Sequence, residues 1–164
     1  MSARSAYSVP QRVLHWLMAL LIFFNLLFPD GMNAWRRLIR HGQVPTPADI
    51  SSANIHAYAG IAVLLLAVLR LAVRFSSDVP ATPDGQPAFL HYLAQLTHVL
   101  LYVLIFAMPL SGIAAYYLGI DTAAFVHGGP IKSLLWIVVV LHVLGALVQH
   151  FYFRSDVLRR MTIG

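Results

Sequence analysis

The side chains in this sequence with the most chemistry to offer are its histidines: His15, His41, His56, His91, His98, His127, His142 and His150. Other ligand types are scarce. There is no cysteine, and Asp and Glu together number six in 164 residues. Disulfides, thiolate zinc sites, cysteine-ligated iron–sulfur clusters and covalent C-x-x-C-H haem are therefore excluded, and a carboxylate-rich metal site has too few ligands. Imidazoles in an apolar setting suit the iron of a b-type haem, which takes one ring on each face of the porphyrin. That chemistry needs two histidines at similar depth, on different helices, facing each other.

The elements that must position them are read from hydropathy. The chain is 59% hydrophobic and 10% charged, where a soluble domain carries about 25% charged residues. It lacks the polar surface to cover a water-soluble globule, so its solvent is lipid. Four stretches approach the roughly 20 apolar residues a spanning helix needs. They predict an all-α, integral membrane four-helix bundle with helices at about 11–28, 54–74, 89–118 and 130–153, forming one domain over residues 1–164. Pro10 and Pro29 bracket the first helix, Pro109 is expected to kink the third, and Pro130 suits the first turn of the fourth. The first stretch ends in Phe28-Pro29-Asp30 without a small-x-small cleavage site, which predicts a retained helix rather than a signal peptide. Residues 34–41 read as a basic, interfacial segment and residues 76–87 as a linker.

Orientation follows from the basic residues. Arg4, Arg12, Arg70, Arg74, Arg154, Arg159 and Arg160 share one side, and Arg36, Arg37, Arg40 and Lys132 the other. Seven against four predicts a multi-pass protein with both termini in the cytoplasm. The net charge of +5 is accounted for by these flanks, and no aromatic-interleaved basic patch points to nucleic acid.

Two tiers of histidine emerge. The inner tier offers His15, His98, His142 and His150, and the outer tier His56 and His127. His127 and His142 are 15 residues apart, close to four turns, so a continuous helix would put both rings near one face about 22 Å apart. Gly128-Gly129-Pro130 argues against that continuity, because a residue before proline avoids the α region. Gly60, Gly112 and Gly145 would let a flat macrocycle, or simply a neighbouring helix, approach closely. Arg70 and Arg74 are placed either to pair with haem propionates or to anchor the helix at the interface. His41 and His91 read as solvated polar residues. His98 could be a ligand, part of a quinone site or a polar helix contact; His150 and Arg154 could serve a quinone head group or face the interface.

Several motifs in order carry a resemblance: Arg12-Val13-Leu14-His15-Trp16 in helix 1; His56-Ala57-Tyr58-Ala59-Gly60 with Arg70 and Arg74 in helix 2; His98-Val99-Leu100-Leu101-Tyr102 and Met108-Pro109-Leu110-Ser111-Gly112 in helix 3; Leu141-His142, His150-Phe151-Tyr152-Phe153 and Asp156-Val157-Leu158-Arg159-Arg160-Met161 at the end. Together they resemble the bacterial cytochrome b561 family, related to the cytochrome b subunits of nickel hydrogenases and formate dehydrogenases. The resemblance implies a cytochrome of the bacterial inner membrane, binding two b haems and exchanging electrons with quinone. Some members are superoxide:ubiquinone oxidoreductases. It also implies His15 and His142 as ligands of an inner haem, and His56 with a histidine at the start of helix 4 for an outer one. The sequence departs from the family there. A family His-Glu pair stands 14 residues before the Leu-His histidine, position 128 is glycine, and His127 is one residue away. His127, another ligand, or a single haem are the alternatives. An anchor subunit passing electrons from a partner redox protein, a homodimer, and a non-haem transporter with a histidine-lined path are the competing readings.

Overall fold

The computed structural model describes residues 6–77, 80 and 87–163. Arg4 and all of the expected linker except residues 76, 77, 80 and 87 lie outside the described residues.

Helix α1 (Val9–Leu27) begins where Ser8 and Gln11 cap each other: the Ser8 amide donates to Gln11 Oε1 at 2.9 Å, and the Gln11 amide to Ser8 Oγ at 3.5 Å. Such a capping box satisfies two amides that have no partner within the helix. A short amphipathic helix follows, α2 (Asp30–Arg40), ending in Arg37 and Arg40. The interfacial segment is thus a helix. Gly31 lets it lie tightly on the next span, since a Cβ there would stand 2.8 Å from the Ser52 carbonyl oxygen.

Helix α3 (Pro47–Ser76) starts well before the expected residue 54. Thr46 and Asp49 form a second capping box, with Pro47 preset for the first turn. Its first two turns are polar, so hydropathy alone placed the start too late. Helix α4 (Ala88–Tyr117) runs through Pro109 unbroken. After Gly119, which takes a left-handed φ of 65°, come α5 (Asp121–Val126), a π-helical turn (His127–Ile131) and α6 (Lys132–Phe151). The helix boundary expected at 130 is therefore a correction: the chain is helical from Asp121 to Phe151. A π turn bonds i to i+5 and takes in an extra residue, which lets Pro130 sit inside the helix despite its missing amide. Helix α7 (Val157–Thr162) closes the chain.

Among the described residues, four helices are long and apolar enough to cross a membrane: Val9–Leu27, Pro47–Ser76, Ala88–Tyr117 and Asp121–Phe151. The shortest, 19 residues, spans about 28 Å at 1.5 Å per residue. Large apolar side chains such as Leu20, Leu65, Val99 and Ile137 point outward, as lipid rather than water requires. Helix packing runs in the order α1, α3, α4, α6. Leu26, Leu104, Leu135 and Val138 form one buried cluster joining α1, α4 and α6, and Met18, Ala67 and Ile105 another joining α1, α3 and α4. Fully buried Ala53 and Ala67 allow the close approach that substitutes for a hydrophobic drive in lipid.

The end bearing both termini is tied together by polar bonds. Trp16 Nε1 donates to the Met161 carbonyl at 2.9 Å, Arg12 Nη1 to the Thr162 carbonyl at 3.1 Å, and the Tyr7 amide to the Arg160 carbonyl at 3.4 Å. All three carbonyls belong to the last turn of α7, so Arg12 places a cation where the helix dipole favours one.

Candidate functional site

Two groups of imidazoles form, one toward each end of the bundle. At the terminal end, His15 of α1 and His142 of α6 have ring centres 6.1 Å apart with planes at 59°. His98 of α4 also approaches His142, at 5.3 Å. The edge of Trp16 meets His15 at 5.3 Å, and the indole is itself held by the Met161 carbonyl. Arg70 Nη1 donates to the Gln11 carbonyl at 3.3 Å, and the Arg74 guanidinium lies 5.9 Å from the centre of the Tyr102 ring.

At the far end, His56 of α3 and His127 of the π turn have ring centres 6.2 Å apart, with planes at 82°. His127 Nδ1 lies 2.9 Å from the Met108 carbonyl oxygen and 3.2 Å from Ser111 Oγ. A carbonyl only accepts, so Nδ1 carries the proton and Nε2 keeps the lone pair a metal needs. Metal-ligating histidines are oriented in this way. Gly112 makes room for the ring: a Cβ there would stand 2.9 Å from His127 Cε1. A cavity of about 380 Å³ opens beside this pair, lined by Asn25, Gly60, Gly112 and Arg36 as well as both histidines.

These separations test the fit to a haem. A ligating imidazole nitrogen stands about 2 Å from its metal, so opposed ligands bring their ring centres to about 6 Å. The 6.1 Å and 6.2 Å pairs meet that requirement, and neither pair is joined by a direct hydrogen bond. His98 sits closer to His142, and among the described residues no three ligating side chains converge as a bare-metal site would need. The ring pairs fit an iron held from both sides.

The other sequence candidates lie elsewhere. His150 is exposed with its ring against Phe151 at 4.8 Å. Arg154 is exposed with a left-handed φ of 50°. His41 is exposed after α2, and His91 Nε2 lies 2.8 Å from the Gln95 amide nitrogen. Sequence reasoning missed Asn25, whose Nδ2 donates to the His56 carbonyl at 3.2 Å. Its signal was available, because an amide inside an apolar span is costly enough to need a purpose.

Residues 6–164 match the family model for prokaryotic cytochrome b561. The chain belongs to that family. This cytochrome is 29% identical over 164 residues to "Cytochrome b562" of Cereibacter sphaeroides, covering 98% of each chain. It is 26% identical to "Probable superoxide oxidase CybB" of Yersinia pestis, covering 94% of each. It is also 26% identical to "Cytochrome b561 homolog 1" of Escherichia coli K12, covering 94% of this chain and 96% of the relative. Membership makes it a multi-pass membrane cytochrome of the b type, with haem b and electron transport as the family's chemistry.

Proposed function

We propose that this cytochrome binds two b haems, one at each end of the bundle, and passes single electrons between them across the bacterial inner membrane. His15 and His142 would hold the haem at the terminal end, and His56 and His127 the one at the far end. The observation that carries this reading is the repetition of one ring separation, 6.1 Å and 6.2 Å, in two pairs drawn from different helices. The π turn supports His127 as the fourth ligand despite its offset from the family spacing, since the extra residue is taken up within the turn. The seven-to-four distribution of basic residues supports a cytoplasmic location for the terminal end.

Haem iron supplies the electron chemistry when bound, cycling between ferric and ferrous. The protein's own residues do the rest. Four imidazoles bind, the Met108 carbonyl orients His127, and the apolar spans exclude water. Arg70, at the terminal end, is suited to a propionate. At the far end Arg36, Arg40 and Lys132 line the cavity with Asp121 as the lone acid among them, a net cationic mouth that suits an anionic donor such as superoxide. One superoxide yields one electron and dioxygen; a quinone taking two electrons and two protons becomes quinol.

A pyridine haemochrome assay on the purified protein tests the reading, with two haems per chain expected. His15→Ala and His56→Ala should each remove a different half of the haem absorbance. The same protein in quinone-containing liposomes should form quinol when superoxide is supplied. One haem per chain, or no change in haem in either variant, overturns the assignment; superoxide-independent quinol formation overturns the choice of donor.

A further inference from the structure

The two rings of the far-end pair are held differently. His127 has its Nδ1 proton on a backbone carbonyl. His56 Nδ1 is buried and has no partner among the described residues. Within the same cavity lies a second orphan, Asn25 Oδ1, also buried and without a partner. The amide cannot turn over to relieve this. Its Nδ2 donates to the His56 carbonyl at 3.2 Å, and reversing it would set two acceptors against each other. Asn25 is thus pinned by the backbone of the histidine whose ring nitrogen lacks an acceptor. Gly60, one turn beyond His56, faces Asn25; a Cβ there would stand 3.7 Å from Asn25 Nδ2, in ordinary contact.

A buried donor and a buried acceptor left unpaired are both costly in an apolar span. Both atoms belong to residues that line the one cavity, and an unpaired donor and acceptor placed so are what an internal water bridges. We propose that Asn25 is the positioning residue for His56: its Oδ1 takes up the Nδ1 proton of His56 through one bridging water. This rests on the reading of His56 as a haem ligand. The bridge fixes the proton on Nδ1, leaves Nε2 as the ligating nitrogen and sets the ring's angle. It also raises the basicity of the ligand, because an acceptor on Nδ1 pushes electron density toward Nε2. A more basic ligand favours ferric iron, so Asn25 holds the far-end haem at a lower potential than an unassisted histidine would.

Redox titration of the purified diheme protein, followed optically and by low-temperature EPR, tests this. Asn25→Leu removes the acceptor and closes the water's place, so the far-end haem should shift to higher potential. Asn25→Asp offers a stronger, charged acceptor at the loss of the bond to the His56 carbonyl, and should shift the same haem lower. Opposite signs at unchanged haem content are expected, with the terminal-end haem unmoved in both. A role in packing alone would move both variants the same way. Should Asn25→Leu fail to accumulate, Asn25→Ala replaces it and must also raise the potential. Shifts of one sign, or none, overturn the inference. His56→Ala separates this from the underlying reading. If it leaves haem content at the wild-type level, the ligand assignment falls and the inference with it. If it removes one haem while that haem's potential is indifferent to Asn25, the inference alone falls.

Discussion

The imidazole of His127 is held from two directions, by the Met108 carbonyl at 2.9 Å and by the bare backbone of Gly112 against its Cε1. Neither contact can be read from side-chain types, since one is a backbone oxygen and the other an absent methyl. Gly112→Ala should therefore act on the cofactor more than on the fold. The added methyl would stand 2.9 Å from Cε1, inside contact distance, and the ring must swing away from its carbonyl. The expected outcome is loss of the far-end haem in difference spectra, up to half of the total, with the terminal-end component retained. Histidine and glycine were both visible in the sequence as residues of interest. What could not be seen was which glycine met which ring: Gly60 faces Asn25, Gly112 faces His127, and a Cβ on Gly145 would meet nothing within 4 Å. A single amide scarcely changes the hydropathy of a 19-residue span, so the signal of Asn25 lies in its cost in lipid, and its bond to the His56 carbonyl shows what it serves.

At the level of the element, the π turn decides where His127 points. Each residue of an α-helix advances its side chain by about 100°, so one residue too many before His142 would turn His127 well away from α3. A π turn absorbs that residue without rotating what lies on either side. Deleting Gly129 together with Pro130→Ala should accordingly give a plain α-helix with the same orientation of His127, and both haems should remain in the haemochrome assay. Inserting one alanine between Lys132 and Trp136 should do the opposite and abolish the far-end haem. Helix existence was legible because apolar runs of this length have no other use. The start of α3 was not read correctly, because Thr46, Pro47 and Asp49 form a capping box that lies outside the apolar run. Helical continuity through Gly128-Gly129-Pro130 was not, because local preferences disfavour it and tertiary contacts override them. Among those contacts, Gly128 admits Arg36 Nη1 to within 2.9 Å of where its Cβ would be.

For the whole molecule, four spans imply that both termini share one side of the membrane, and the proposed orientation takes the cytoplasm from the basic flanks. The lack of any native cysteine makes this easy to check. Val44 and Ile163 are 91% and 76% exposed and lie at opposite ends. Val44→Cys should react with an impermeant maleimide in intact spheroplasts, and Ile163→Cys only in inverted vesicles; the reverse pattern would invert the proposed orientation. The four-helix architecture and the two levels of histidine were apparent from spacing. The packing order was not, since nothing in four apolar stretches says which of them are neighbours.

Each ring pair draws one member from the span Asp121–Phe151, His142 for one and His127 for the other. That span is the last of the four to leave the ribosome. On the proposed ligand assignment, His15 and His56 would still wait for their opposite numbers while the earlier three spans are threaded into lipid, so neither centre would be complete before that last span emerges. Cofactor loading would thereby be deferred until the last span is in place, and a chain stalled before residue 121 would lack one ligand of each haem.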